Sequence, residues 1–170
     1  MKIRAAAVSL LAAIALAGCA APAPEPTECL AAIDLASTAE SAARASSEAL
    51  STTLSDAATK PPAEFATVAT AASKWASDLD ALASRYEALA PLTVGSFGAA
   101  ALEVSSTATS AAAGARDFAA AAQAYSVTVD GATTTALNNA AVEISGAPST
   151  IASALDRVSE INSNSDDICG

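Results

Sequence analysis

Residues 65 to 89 read FATVATAASKWASDLDALASRYEAL, and the larger side chains keep a beat: Phe65, Val68, Ala72, Trp75, Leu79, Leu82, Tyr86 and Leu89. The steps between them alternate between 3 and 4 residues. Because an α-helix turns once in about 3.6 residues, this alternation gathers them on one stripe for more than three heptads. Glu64, Thr67, Thr70, Ser77, Asp80 and Glu87 fall on the other positions. Pro61-Pro62 marks the start, with Pro62 suited to a first helical turn, and Pro91 marks the stop. Such a stripe requires an apolar partner surface, which makes helix packed on helix the expected architecture.

The next segment repeats the beat at Phe97, Ala101, Val104, Ala108, Ala111, Ala115, Phe118, Ala122 and Tyr125, with Ser96 as a plausible cap. Alanine in mid-seam lets a partner helix come close or accept a large side chain such as Trp75. Gly114 inside the pattern points to a tight crossing, since it costs about 1 kcal/mol relative to Ala. Val127-Thr128-Val129 leaves helical preference and Asp130-Gly131 signals a turn. Upstream, Ala32, Leu35, Ala39, Ala43, Ser46, Leu50, Leu54 and Ala57 form a weaker stripe, with Glu40 to Arg44 and Asp56 to Lys60 as i,i+4 ion pairs. Downstream, Leu137, Ala141, Ile144, Ile151, Leu155 and Val158 keep the register if Pro148 takes a seam position. The four segments are each roughly 45 Å long if helical. Short connections predict an all-α, antiparallel up-down-up-down four-helix bundle, its fourth helix kinked near Pro148.

Composition narrows the chemistry. Of 170 residues, 50 are Ala, 21 Ser and 15 Thr, so half the chain carries side chains too small to bury much area each. With no histidine, imidazole catalysis and most transition-metal sites are excluded. The net charge of −10 argues against a nucleic-acid partner. No paired acids fall on the predicted seams, and Ser73-Lys74 has no Gly-rich elbow around it. Asp166-Asp167 in a polar tail is thin support for a cation site. The expectation is a protein that is not an enzyme and takes no cofactor and no metal.

At the N-terminus, Lys2 and Arg4 precede an apolar run from Ala5 to Ala17 that is too short to span a bilayer. It ends in Leu16-Ala17-Gly18-Cys19, which resembles the lipobox of bacterial lipoprotein signal peptides at every position. The resemblance covers roughly the first 20 residues and implies loss of residues 1 to 18 and acylation (diacylglyceryl, palmitate-type chains) of Cys19. It therefore implies a lipid anchor in the cell membrane or outer membrane, facing the extracytoplasmic side. Residues 19 to 27 form the lipidated Cys and a Pro-rich tether, in which Pro22, Pro24 and Pro26 favour an extended path. Residues 28 to 170 form the bundle domain, and the mature chain would carry 18 acids and 6 bases, a charge of −12.

In an exported chain Cys29 and Cys169 are expected as a disulfide, the alternative being two unpaired buried thiols. Closing so long a loop stabilises by about 5 kcal/mol in the chain-entropy account. It also demands that both chain ends meet, as an even number of helices allows. The expected function is a bundle presenting an acidic surface to an envelope or extracellular protein or serving a structural role in the envelope; the alternative is a bundle binding a small apolar ligand between its helices. Trp75, Tyr86, Phe118 and Tyr125 are the candidate ligand-lining residues, with core packing as their alternative role. A closed seam around Trp75 favours the first function, and an apolar pocket of a few hundred Å³ the second. Cys19→Ala is expected to release the protein from the membrane fraction; unchanged fractionation would refute the anchor.

Overall fold

The computed structural model describes residues 25–164, 168 and 169 of the chain. Residues 1–18, Cys19, most of the tether and Asp166-Asp167 lie outside the described residues. The described chain is an all-α bundle: α1 (Pro26–Ala57), α2 (Phe65–Leu89), α3 (Phe97–Val127), α4 (Gly131–Ser145) and α5 (Ala147–Asn164). Single 3-10 turns, Pro62–Glu64 and Ala90–Leu92, lead into and out of α2. Among the described residues no helix is long and apolar enough to cross a membrane.

Helix α2 is the hub. Its predicted stripe is buried from Val68 to Leu89, and Ala69, Ala76 and Ala83 add a second buried row beside it. A helix apolar on two rows is covered on two sides, and α2 packs on α3 most extensively and then on α1. The α3 seam is buried throughout except at half-buried Tyr125, with Ala100, Ala112 and Ala119 as its own second row. Side chains meet between helices at Glu40 with Tyr86 (α1 and α2), Asp80 with Arg116 and Phe65 with Tyr125 (α2 and α3), and Glu103 with Arg157 (α3 and α5). Phe65 and Tyr125 pack edge to face, ring centres 5.0 Å apart, at the end of the bundle remote from the tether.

Helix α1 begins at Pro26, so Pro26 and Thr27 belong to the helix rather than to the tether. Most of its expected stripe is buried: Ala39, Ala43, Ser46, Leu50 and Ala57, with Ala32 and Leu54 half-buried against the core. The exception is Leu35, which is 46% exposed, because in the first turns the buried row runs through Cys29 and Ala36 instead. Apart from the aromatic Trp75 and Tyr86, Ser46 is the one buried polar side chain among the described residues, and its hydroxyl donates within its own helix to the Ala42 and Ala43 carbonyls.

The fourth segment is interrupted at Gly146 rather than at Pro148 itself. Seam positions run Leu137, Ala140, Ile144, Ala147, Ile151, Ala154, Val158 and Ile161, all buried or packed against the core, so the 3-and-4 beat passes through the break. Ala147 holds the seam position expected for Pro148, which is exposed. Proline fits there because the first turn of α5 has no use for its missing N–H.

Local chemistry sets the turns. Gly95 has φ of +68°, the left-handed region, between α2 and α3. A Cβ at Gly98 would lie 2.8 Å from the Ala90 carbonyl oxygen, so that turn closes only over glycine. Ser96 occupies the cap position of α3, but its hydroxyl makes no capping bond. At α4 the Asp130 carboxylate accepts from the Thr133 N–H at 2.8 Å while Thr133 Oγ1 accepts from the Asp130 N–H at 3.1 Å. The bonds from the Thr133 backbone and hydroxyl hold the Asp130 carboxyl below its usual range.

Gly114 marks the tight crossing expected of it: a Cβ there would come within 3.1 Å of Ile144 Cγ2. Gly114→Leu is expected to destabilise by about 1–3 kcal/mol through overpacking, read as a lowered urea midpoint with unchanged slope. Gly114→Ala should cost far less, because Ile144 has only to yield by a few tenths of an ångström.

Candidate functional site

The bundle is open along one flank. Among the described residues α1 packs extensively on α2 alone, and α5 on α3 with a smaller contact to α4, so α1 and α5 face each other across α2 without closing. The gap is a cleft of about 280 Å³, at the small end of ligand-sized pockets. Trp75, Leu79 and Leu82 form its floor, one face of α2 at i, i+4 and i+7. Glu40, Ala43, Arg44, Ser47 and Glu48 form the α1 wall, and Pro148, Ile151, Ala152 and Leu155 the α5 wall. Ala43, Ser47 and Ala152 are short, and short side chains on facing walls leave the space unfilled.

The rim is polar in an ordered way. Tyr86 is buried, and its phenol donates a hydrogen bond to Glu40 Oε1, tying α1 to α2 beside the cleft. Burial first, then the Glu40 carboxylate, push the Tyr86 phenol above its ordinary range. The expected Glu40 to Arg44 ion pair is not formed, because Glu40 is turned to Tyr86. Asp56 and Lys60 do not pair either, because α1 ends at Ala57 and Lys60 lies in the following turn. Arg116–Asp80 and Arg157–Glu103 are ion pairs on solvated faces, where each contributes little, and Lys74 pairs with a more covered Asp78 within α2.

The candidate aromatic residues are not brought together. Trp75 is 2% exposed and contributes to the cleft floor. Tyr86 acts one step removed, by fixing Glu40. Phe118 is fully buried in the core, and Tyr125 stacks on Phe65 at the remote end. Periodicity placed Ile151 and Leu155 on the fourth seam and Glu40 and Arg44 on α1, but not at one site, because it assigns residues to a helix face and does not say which two helices fail to meet. A wider groove of about 600 Å³ lies between the outer edges of α1 and α2, lined by Ala42, Ala45, Ala49, Thr70 and similar small residues. It has no aromatic floor and draws on two elements only.

Cys29 and Cys169 are joined, with Cα atoms 5.6 Å apart and a sequence separation of 140. Both are buried. The Ser73 hydroxyl donates to the Ala69 carbonyl at 2.9 Å and Lys74 Nζ donates to Asp78 at 2.7 and 2.9 Å, so neither side chain is directed at the other. Among the described residues no three His, Cys, Asp or Glu side chains converge as a metal site would require. The fold and site thus define a class: an all-α bundle with an apolar, aromatic-floored cleft between three of its helices. Comparison with protein families, curated proteins and solved structures finds no match in any of the three.

Tyr86→Phe leaves Glu40 without its donor and is expected to cost about 1–2 kcal/mol. The pH dependence has a definite sign. An acid whose folded pKa is raised contributes stability that is complete below the unfolded value, about 10 for tyrosine, and is lost as pH rises above it. Wild-type denaturation midpoints should therefore fall above about pH 10 more steeply than those of Tyr86→Phe.

Proposed function

We propose that this chain is a non-enzymatic, lipid-anchored protein of the cell envelope that binds a small, largely apolar ligand in the cleft between α1, α2 and α5. The observation that carries the reading is the cleft itself, about 280 Å³ over the single tryptophan of the sequence. An apolar floor with a few polar groups at the rim is the usual build of a small-molecule site. The lipobox resemblance at Leu16 to Cys19 supports the anchor and the extracytoplasmic location. Cys29 and Cys169, bonded to each other, suit an oxidising compartment.

A second reading, a protein-binding role, draws support from the opposite end of the bundle. Val127, 77% exposed, and Val129 sit at the α3 to α4 turn, farthest from the tether. Crosslinking on intact cells followed by pulldown tests that reading.

The ligand reading is tested with N-phenyl-1-naphthylamine, a neutral apolar dye, using Trp75 as the fluorescence donor. Saturable micromolar binding is expected. Ala152→Phe, placed on the exposed α5 wall, should weaken it at least tenfold while helix content and melting temperature stay near wild type. Absence of saturable binding, together with no small molecule co-purifying in native mass spectrometry, would reject the ligand site.

A further inference from the structure

The surfaces that bound the cleft differ in kind. Its charged groups and its hydroxyl all come from α1, where Glu40, Arg44, Ser47 and Glu48 line one wall. The lining residues of α5, Pro148 to Leu155, are all apolar, and the α2 floor is apolar and aromatic. Glu40, Arg44 and Glu48 stand four residues apart, so the charged row runs roughly 12 Å along α1 at 1.5 Å per residue. Pro148, Ile151 and Leu155 set an apolar row of about 10 Å on the facing wall. An occupant that suits both rows is apolar on one side and charged on the other. A wholly apolar occupant would cover charged groups without pairing them, which costs free energy.

The sign of the complementary charge follows from the row. Two carboxylates stand on either side of one guanidinium, which leaves the wall with a net negative charge. Tyr86 donates to Glu40, but a neutral phenol adds no positive charge. Among the described residues neither Arg44 nor Glu48 is held in an ion pair. The whole chain reinforces that sign with 18 acids against 8 bases. Apolar walls on the other sides screen the local field less than water would. A cation is therefore drawn to the cleft, and an anion is opposed by every charge there except Arg44.

We infer that the ligand of the cleft is an amphipathic organic cation, a small amine whose ammonium group pairs with Glu48 on the α1 wall and whose apolar body lies against α5 and α2. This rests on the ligand reading above and adds to it the chemical class of the ligand. Glu48 is the anchor because Glu40 is already engaged by Tyr86. Arg44 limits the attraction, standing one turn from Glu48 on the same wall. Both Arg44 and Glu48 are exposed, so each can be replaced without disturbing the core.

The test is calorimetric titration of the full mature chain with three probes that share one ring system: naphthylethylamine, naphthylethanol and naphthylacetate, which are cationic, neutral and anionic at neutral pH. The amine should bind at least fivefold more tightly than the alcohol at low salt, and the acetate most weakly. Glu48→Gln should remove most of the amine's advantage while leaving the alcohol's affinity within twofold of wild type. Arg44→Gln should tighten the amine at least twofold. Glu143→Gln, an equal change of charge at an exposed position on α4, should leave the preference in place. Equal affinity for amine and alcohol, or tightest binding of the acetate, would overturn the inference and leave the ligand reading standing. So would a preference for the amine that survives Glu48→Gln, or one that Glu143→Gln reduces as much. Failure of all three probes and of the neutral dye to bind would overturn both.

Discussion

The close apposition of α2 and α3 is the interaction on which the rest of the molecule depends. Helix α3 offers a seam of Ala101, Ala108, Ala111, Ala115 and Ala122 around Val104 and Phe118, all buried. Helix α2 carries the bulk of the core: Trp75, Leu79, Leu82, Tyr86 and Leu89, all buried. Large side chains on one helix against small ones on the other fill space at native density without a large number of apolar residues. In a chain with 50 alanines this division of labour makes a core possible. The alanines serve as helix formers and as spacing, and one helix supplies most of the volume.

The cleft follows from the same economy. Once α2 has spent its two buried rows on α3 and α1, the flank between α1 and α5 has only short side chains to close it. Ala43, Ser47 and Ala152 cannot fill the gap, and a cleft remains beside Trp75, Leu79 and Leu82, which are themselves buried. The polar rim is then organised by Tyr86, whose buried hydroxyl takes Glu40 as its acceptor. The same interruption that divides α4 from α5 at Gly146 puts Pro148 at the far wall of the cleft.

Much of this was legible in the sequence, because helix periodicity is a local property. The α2 and α3 stripes, the turn at Asp130-Gly131, the crossing at Gly114 and the uninterrupted register across Gly146 all follow from spacing. The failures have a common cause. Leu35 is more apolar than Ala36, so hydropathy assigns it inward, but the heptad row descending from Cys29 rotates it to the surface. Glu40 is well placed for Arg44 within its own helix, but a buried phenol from α2 offers it a donor away from solvent. Pro148 fits the spacing as well as Ala147 does, and the burial of Ala147 alone decides between them. In each case an interaction from another element outweighed a local preference.

The sequence by itself determined that the folded part is helical, close to where its first three helices begin and end, and most of the faces they bury. It also excluded imidazole chemistry and made the two late cysteines natural partners. It could not determine which helices meet and which stand apart, because alanine stripes are nearly interchangeable and small residues accept almost any neighbour. Tertiary structure decided that: α2 occupied the centre, packed on α3 and α1, and α1 and α5 were left as the two walls of a cleft over it. The cleft is a property of that arrangement, arising where packing stops, and no single segment encodes it.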